Sequence, residues 1–292
     1  MFSHIHHGAS ESFWISGALI LAALVYLGGW LRLRSYKRDK IAGWRAGSFV
    51  LGLFFIWIAT VSPLAELDRT MLTAHMIQHL LLMTLAPPLL LLGAPTKQLA
   101  YGQSPRFVWP ISRPLRSAAM RRLGSALTHP AFCWLAAAGT LIVWHIPSMF
   151  MLGLSSQLWH GIEQASFLVT GLLFWWPIVR PSPKWPEWSM LLYLFLATLP
   201  CDILSGFLVF CDRVVYPVFL SSPQSFGLSA LEDQQCAGAL MWTCVTLVYV
   251  IAAAVSTARL LSPRRSEEFA IPEFDSRRIA VGPADRQKME AV

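Results

Sequence analysis

The sequence predicts an all-α fold: a polytopic membrane protein built as a seven-transmembrane-helix bundle, N-terminus outside and C-terminus cytoplasmic. Three observations predict it. Of 292 residues, 55% are hydrophobic and only 13% charged, with a mean hydropathy of +0.52, a balance foreign to water-soluble domains. The apolar residues come in blocks close to the ~20 residues that a bilayer crossing needs. The basic residues, finally, fall almost entirely on one side of the connections between those blocks. Thirteen Trp and seventeen Phe suit aromatic belts at the two interfaces.

The first block, 13–31, has no basic leader and is followed by positive charge, so it reads as a retained span rather than a cleaved signal. Blocks 44–62 and 72–92 follow, the latter carrying Pro87-Pro88, which predicts a kink. The connection 93–128 is interrupted by Pro105, Pro110 and Pro114. Its Arg-rich later half, around 115–127, reads as a helix lying on the inner leaflet. The fourth block, 130–145, is short and begins near Leu127. Blocks 158–179, 188–210 and 236–261 complete seven. Residues 1–261 thus form the membrane domain, and 262–292, polar and containing Pro272 and Pro283, a disordered tail. No internal repeat supports an inverted-repeat transporter.

Charge sets the orientation. Twenty-one of the 23 Lys and Arg follow span one, lie between spans three and four or five and six, or end the chain; only Arg69 and Arg213 lie opposite. The positive-inside rule makes the rich side cytoplasmic. The net charge of +7 comes with no basic stripe interleaved with aromatics, which argues against nucleic acid. Five Cys without a CxxC pair argue against a disulfide framework.

In this orientation seven of the eight His lie on the outer half, His129 being the exception. His75 and His79 sit four residues apart at the start of span three, a spacing that stacks both rings on one helix face about 6 Å apart along the axis. Burying two imidazoles near lipid is costly unless something binds them. His145 ends span four and His160 opens span five on the same side. Met83 continues the His75/His79 face inward, and Asp233, Cys236 and Met241 lie at the start of span seven. Imidazole with thioether and thiolate suits copper, above all Cu(I). Oxygen-only ligands would have suited calcium or magnesium. Each residue also has a plainer reading. Met in an apolar span commonly packs, a terminal His4/His6/His7 cluster is commonly idle, and His129-Pro130 reads as a helix entry. Asp202, charged and mid-span beside Cys201, is a functional candidate by position.

Three blocks resemble the multi-span assembly factor family of caa3-type cytochrome c oxidases, the CtaG family. They are His75-Met-Ile-Gln-His79-Leu-Leu-Leu-Met83 running into Ala86-Pro87-Pro88 and Gly93-Ala94-Pro95; Trp144-His145-Ile-Pro147 with Trp159-His160-Gly-Ile-Glu163-Gln164 and Trp175-Trp176-Pro177; and Asp233-Gln234-Gln235 with Gly238 and Met241-Trp242. In register, they cover spans three to seven. The resemblance implies a non-catalytic role in maturing cytochrome c oxidase in the bacterial inner membrane, by holding copper and delivering it to the catalytic subunit. It places the family's His pair on His75 and His79, its Trp-His on His145, its span-five His on His160, and its acidic-Gln block on Asp233 and Gln234. The implied partners are that subunit and an extracytoplasmic copper chaperone, with a homodimer as an open assembly state. Family members often carry a second His where this chain has Gln164. Gln is a poor Cu(I) ligand, so Met, Cys or Asp is expected to complete the site. The competing readings are a b-type haem protein with His ligands from facing helices and a copper permease. A zinc hydrolase lacks an HExxH motif.

Overall fold

The computed structural model describes residues 2–36, 42–94, 118–183, 185–186, 188–221 and 225–261, the side chains of 2–11, 36, 118, 121 and 225 excepted. The predicted tail 262–292, the earlier part of the 93–128 connection and the side chains of His4, His6 and His7 therefore lie outside the described residues. The described residues up to 256 form one compact unit, and 257–261 complete the last helix.

Among the described residues there are helices and connections and no strand. Helix α1 is Phe2–Tyr36, α2 Gly43–Val61 and the one-turn α3 Leu64–Leu67. The third apolar block forms α4, Leu72–Leu80, a π-helical turn, Leu81–Leu85, and α5, Ala86–Leu92. Then come α6, Ala118–Leu127, α7, Pro130–His145, and α8, Pro147–Ser155. Helices α9, Gln157–Val179, α10, Ser189–Phe210, and α11, Ala230–Leu261, complete the chain. Six stretches are long and apolar enough to cross a membrane: 12–35 within α1, α2, Leu72–Leu92, α9, α10 and α11. The 16-residue α7 joins them only together with α8, as a helix pair bent by 80°. The chain is a multi-pass membrane protein, and the seventh expected crossing rests on that bent pair.

Helix α11 starts six residues before the predicted 236. Ser229 and Glu232 form a capping box, Glu232 Oε2 accepting from Ser229 N at 2.8 Å and Ser229 Oγ accepting from Glu232 N at 3.3 Å. This polar start lies outside any hydropathy window. His129 plays the entry role its sequence suggests, its Nδ1 accepting from Ala131 N at 3.2 Å. In α6, Met120, Leu123 and Leu127 are exposed at helical spacing, the apolar stripe a leaflet-bound helix needs.

The expected kink in span three takes a specific form. Pro87 has no N–H to give the carbonyl of Met83, and its ring would press on that oxygen. The turn widens instead, Ala86 N donating to Leu81 O in π-helical register, and Met83 O turns outward to accept the Trp175 indole N–H at 3.2 Å. Gly171 of α9 makes room for the bulge; a Cβ there would stand 2.8 Å from Met83 O. Span three so lies between two apolar clusters. One joins it to α1 and α2, with Tyr26 stacked on Phe49 and donating to Gly93 O at 2.8 Å. The other joins it to α7, α9, α10 and α11 around Phe174, Tyr193 and Tyr249.

Candidate metal centre

The connections at one end of the bundle bring the chemistry together. The start of α4 is fixed by α11: Asp233 Oδ2 accepts from Leu72 N at 2.6 Å and Oδ1 from Thr73 N at 3.1 Å, while Thr73 Oγ1 donates to Asp233 O at 3.1 Å. A carboxylate at a helix N-terminus meets both the free N–H groups and the positive end of the dipole. The next residue, Gln234, ties the α10–α11 connection. Its Oε1 accepts from Val215 N at 2.7 Å and its Nε2 donates to Arg213 O at 3.1 Å. Tyr216 in that connection donates to His145 O at 2.9 Å, joining it to the end of α7.

Inside this frame His75 and His79 of α4 face Glu163 of α9. Glu163 Oε1 lies 3.5 Å from His75 Nε2 and 3.4 Å from His79 Nε2, and ligand atoms of the three residues fall within 4.8 Å of one another. All three are buried, His75 and Glu163 completely. No ring nitrogen of His75 or His79 makes a hydrogen bond, nor does Glu163 Oε1. Five buried polar atoms without a hydrogen bond are costly unless a bound group engages them. Two imidazoles and one carboxylate fit a transition ion and need no further protein ligand to begin holding it.

His160 forms the neighbouring group with Asp68 and His75, again within 4.8 Å. Its Nε2 lies 2.8 Å from Asp68 Oδ2, and its Nδ1 lies 3.3 Å from Glu163 Oε2. Gln164 Nε2 is 2.8 Å from the same His160 Nε2. His160 therefore bridges two carboxylates, and position 164 orients it. The carboxylate of Glu163 stands where a further ligand was sought.

A short helix covers the pocket. Pro147 starts α8 after the bend at Ile146, and Ser156 caps the following α9, accepting from Trp159 N at 3.3 Å. Phe150 of α8 lies 4.9 Å from the His75 ring and stacks on Tyr216 at 4.0 Å between centroids. A Cβ on Gly153 would stand 2.6 Å from Glu163 Oε2. The His75, His79 and Glu163 side chains are thus buried beneath α8 rather than exposed at the end of the bundle.

The remaining expected ligands separate. Asp233 commits both oxygens to the α4 N-terminus instead of joining either metal-like group, and Cys236 is exposed. His145 lies one layer deeper, its ring 6.1 Å from that of His79. There it lines a cavity of about 40 Å³ together with Met76, His79, Met83, Cys201 and Met241. Glu163 had a sequence signal as the i+3 neighbour of His160, and Met76 one as a thioether flanking the His75/His79 pair; Asp68 and Gly153 had none beyond their residue types.

The family model for the cytochrome c oxidase caa3 assembly factor (Caa3_CtaG) matches residues 24–262. The chain belongs to the caa3 assembly factor family. The match takes in every residue of both metal-like groups. Two similar relatives are uncharacterized proteins: ML1998 of Mycobacterium leprae, 22% identical over 248 residues, and Mb0105 of Mycobacterium bovis, 26% identical over 262. These alignments cover 81% and 83% of this assembly-factor chain but 37% and 38% of the relatives, so the chain spans less than two-fifths of their length. No solved structure matches it.

Proposed function

We propose that this protein is a non-catalytic copper metallochaperone of the bacterial inner membrane. It would hold an ion between His75, His79 and Glu163 at the extracytoplasmic end of a seven-span bundle and pass it to the catalytic subunit of cytochrome c oxidase. One observation carries the reading: one ring nitrogen from each of His75 and His79 and a carboxylate oxygen of Glu163 lie within 4.8 Å of one another in the interior, on residues whose ring nitrogens and Oε1 make no hydrogen bond. Membership of an oxidase assembly family supports the oxidase as the client, and imidazole ligands suit copper as the cargo. His160 and Asp68 back the site by fixing the second oxygen of Glu163, as partners behind metal ligands commonly do. Because Phe150 and α8 roof the pocket, loading and release both require that helix to lift. An extracytoplasmic copper donor would dock on this face.

Charge supports the extracytoplasmic placement. Asp233 and Tyr216 tie the start of α4 to the α10–α11 connection and the end of α7, which puts the site beside the segments that hold Arg69 and Arg213, the two basic residues opposite the other 21. The haem alternative finds less support. The cavity beside His79 and His145 is about 40 Å³, while organic cofactors occupy pockets of ~300 Å³ or more.

Copper content of the purified full-length protein tests the proposal, wild type against the His75→Ala/His79→Ala pair. Stoichiometric copper in the wild type and its loss in the variant are expected. Equal content in both removes the site.

A further inference from the structure

The cavity below the His75/His79/Glu163 group has a different chemistry, and it centres on a residue pair that the upper group does not use. His145 Nδ1 lies 2.7 Å from Leu141 O. A carbonyl can only accept, so the proton of the neutral ring sits on Nδ1 and Nε2 is left as a bare lone pair. That lone pair faces Met76 Sδ at 3.4 Å. A thioether has no hydrogen to offer. Two electron-pair donors therefore abut each other in the interior, with Met76 fully buried and His145 5% exposed.

Nothing within the pair satisfies them; an electron-pair acceptor between or beside them would. Nitrogen and sulfur ligands at about 2.0 and 2.3 Å from one ion stand roughly 3.4 Å apart at a near-tetrahedral angle. The adjoining cavity of about 40 Å³ exceeds the ~15 Å³ that a water-sized guest requires. Its wall adds the thioethers of Met83 and Met241 and the thiol of Cys201, and it contains no Asp or Glu. A divalent ion would lack a balancing charge there, whereas a soft monovalent ion suits neutral imidazole and thioether.

We infer that Met76 and His145, with Met83 or Met241 completing the shell, form a second site for a soft monovalent cation of the Cu(I) class, separate from the carboxylate-containing site above it. His79 borders both, lying 3.4 Å from Glu163 Oε1 and lining the lower cavity. The two sites then divide copper by oxidation state, the upper suited to the divalent and the lower to the monovalent ion. The inference rests on the copper proposal for the identity of the native ion; the site itself rests on Met76 and His145.

Silver(I), which is monovalent and does not change oxidation state, is the probe. Full-length protein in detergent is dialysed against Ag(I) with a competing chelator, and against Cu(II) separately. X-ray absorption of the silver-loaded wild type should show nitrogen and sulfur neighbours. Met76→Leu, close to isosteric, should weaken Ag(I) binding ~10-fold or more and leave Cu(II) binding within two-fold. His75→Ala/Glu163→Gln should do the reverse. Wild-type Ag(I) affinity in folded Met76→Leu, or an absorption spectrum without sulfur, overturns the second site. If His75→Ala/Glu163→Gln keeps its Cu(II) while Met76→Leu loses Ag(I), the upper site fails and the lower one stands.

Discussion

Gly153 decides whether Glu163 can reach the two histidines. A methyl group there would meet Glu163 Oε2 at 2.6 Å, closer than any stable contact, and the carboxylate would have to swing away from His75 and His79. Gly153→Ala should therefore weaken metal binding by ~10–100-fold while the protein stays folded, read by competition with a chromophoric chelator. Unchanged affinity would mean that Glu163 is no ligand. The residue scale is also where the sequence was uneven. The i,i+4 spacing of His75 and His79 exposed half of the upper site directly, because helix geometry alone brings those rings together. Glu163 carried a weaker signal, as an acid three residues after His160 near the start of span five. Asp68 and Gly153 carried none, since their places depend on a loop and an 80° bend that residue spacing does not encode. Met76 looked like packing because only the tautomer of His145 gives its sulfur a meaning.

Span three shows what an element adds to its residues. Its start is capped from another helix by Asp233 and its middle is widened before Pro87, so its start and its bend are set by contacts with α11 and α9. The sequence reading placed Asp233 among the metal ligands because an acid at a helix mouth near histidines looks like one. The carboxylate's two backbone acceptances give it a different task. Asp233→Ala should lower stability by about 1–2 kcal/mol, the usual cost of a lost cap, seen as a lower thermal midpoint in detergent. The metal content per folded molecule should stay at the wild-type value; a loss in proportion to His75→Ala would restore Asp233 as a ligand. At the bulge, Gly171→Ala forces a methyl to 2.8 Å from Met83 O. Overpacking of this kind costs ~1–3 kcal/mol, and the Trp175 hydrogen bond to Met83 O should weaken with it, visible as a shift in tryptophan emission. The kink itself was legible from Pro87-Pro88. Its π-helical form was not, because it depends on a glycine 84 positions later in the chain.

On the scale of the whole molecule, hydropathy identified six crossing helices with near-correct limits, and the seventh turns on how α7 and α8 meet the bilayer. A 16-residue α7 rises about 24 Å, short of the ~30 Å hydrocarbon core, and α8 departs at 80° rather than extending it. If α7 crosses a locally thinned bilayer and α8 lies along the interface, the count is seven and the termini fall on opposite sides. If the pair is re-entrant, the count is six and both termini share a side. The charge distribution favours seven, since six crossings would place a large part of the 21 clustered basic residues outside. Cys236 separates the two arrangements chemically. It is exposed and lies three residues beyond Asp233 at the site end of α11, whereas the chain's other end follows Leu261. In a variant retaining Cys236 as its one cysteine, a membrane-impermeant maleimide should label intact spheroplasts, and a fluorescent protein fused after the C-terminus should fluoresce in the cytoplasm. An N-terminal alkaline phosphatase fusion with a suitable export signal should be active. Labelling of Cys236 only after permeabilisation would invert the bundle and put the proposed copper site on the cytoplasmic side, where it could not load the oxidase from outside. Activity at the C-terminus together with outside labelling of Cys236 would instead break α11 as a span.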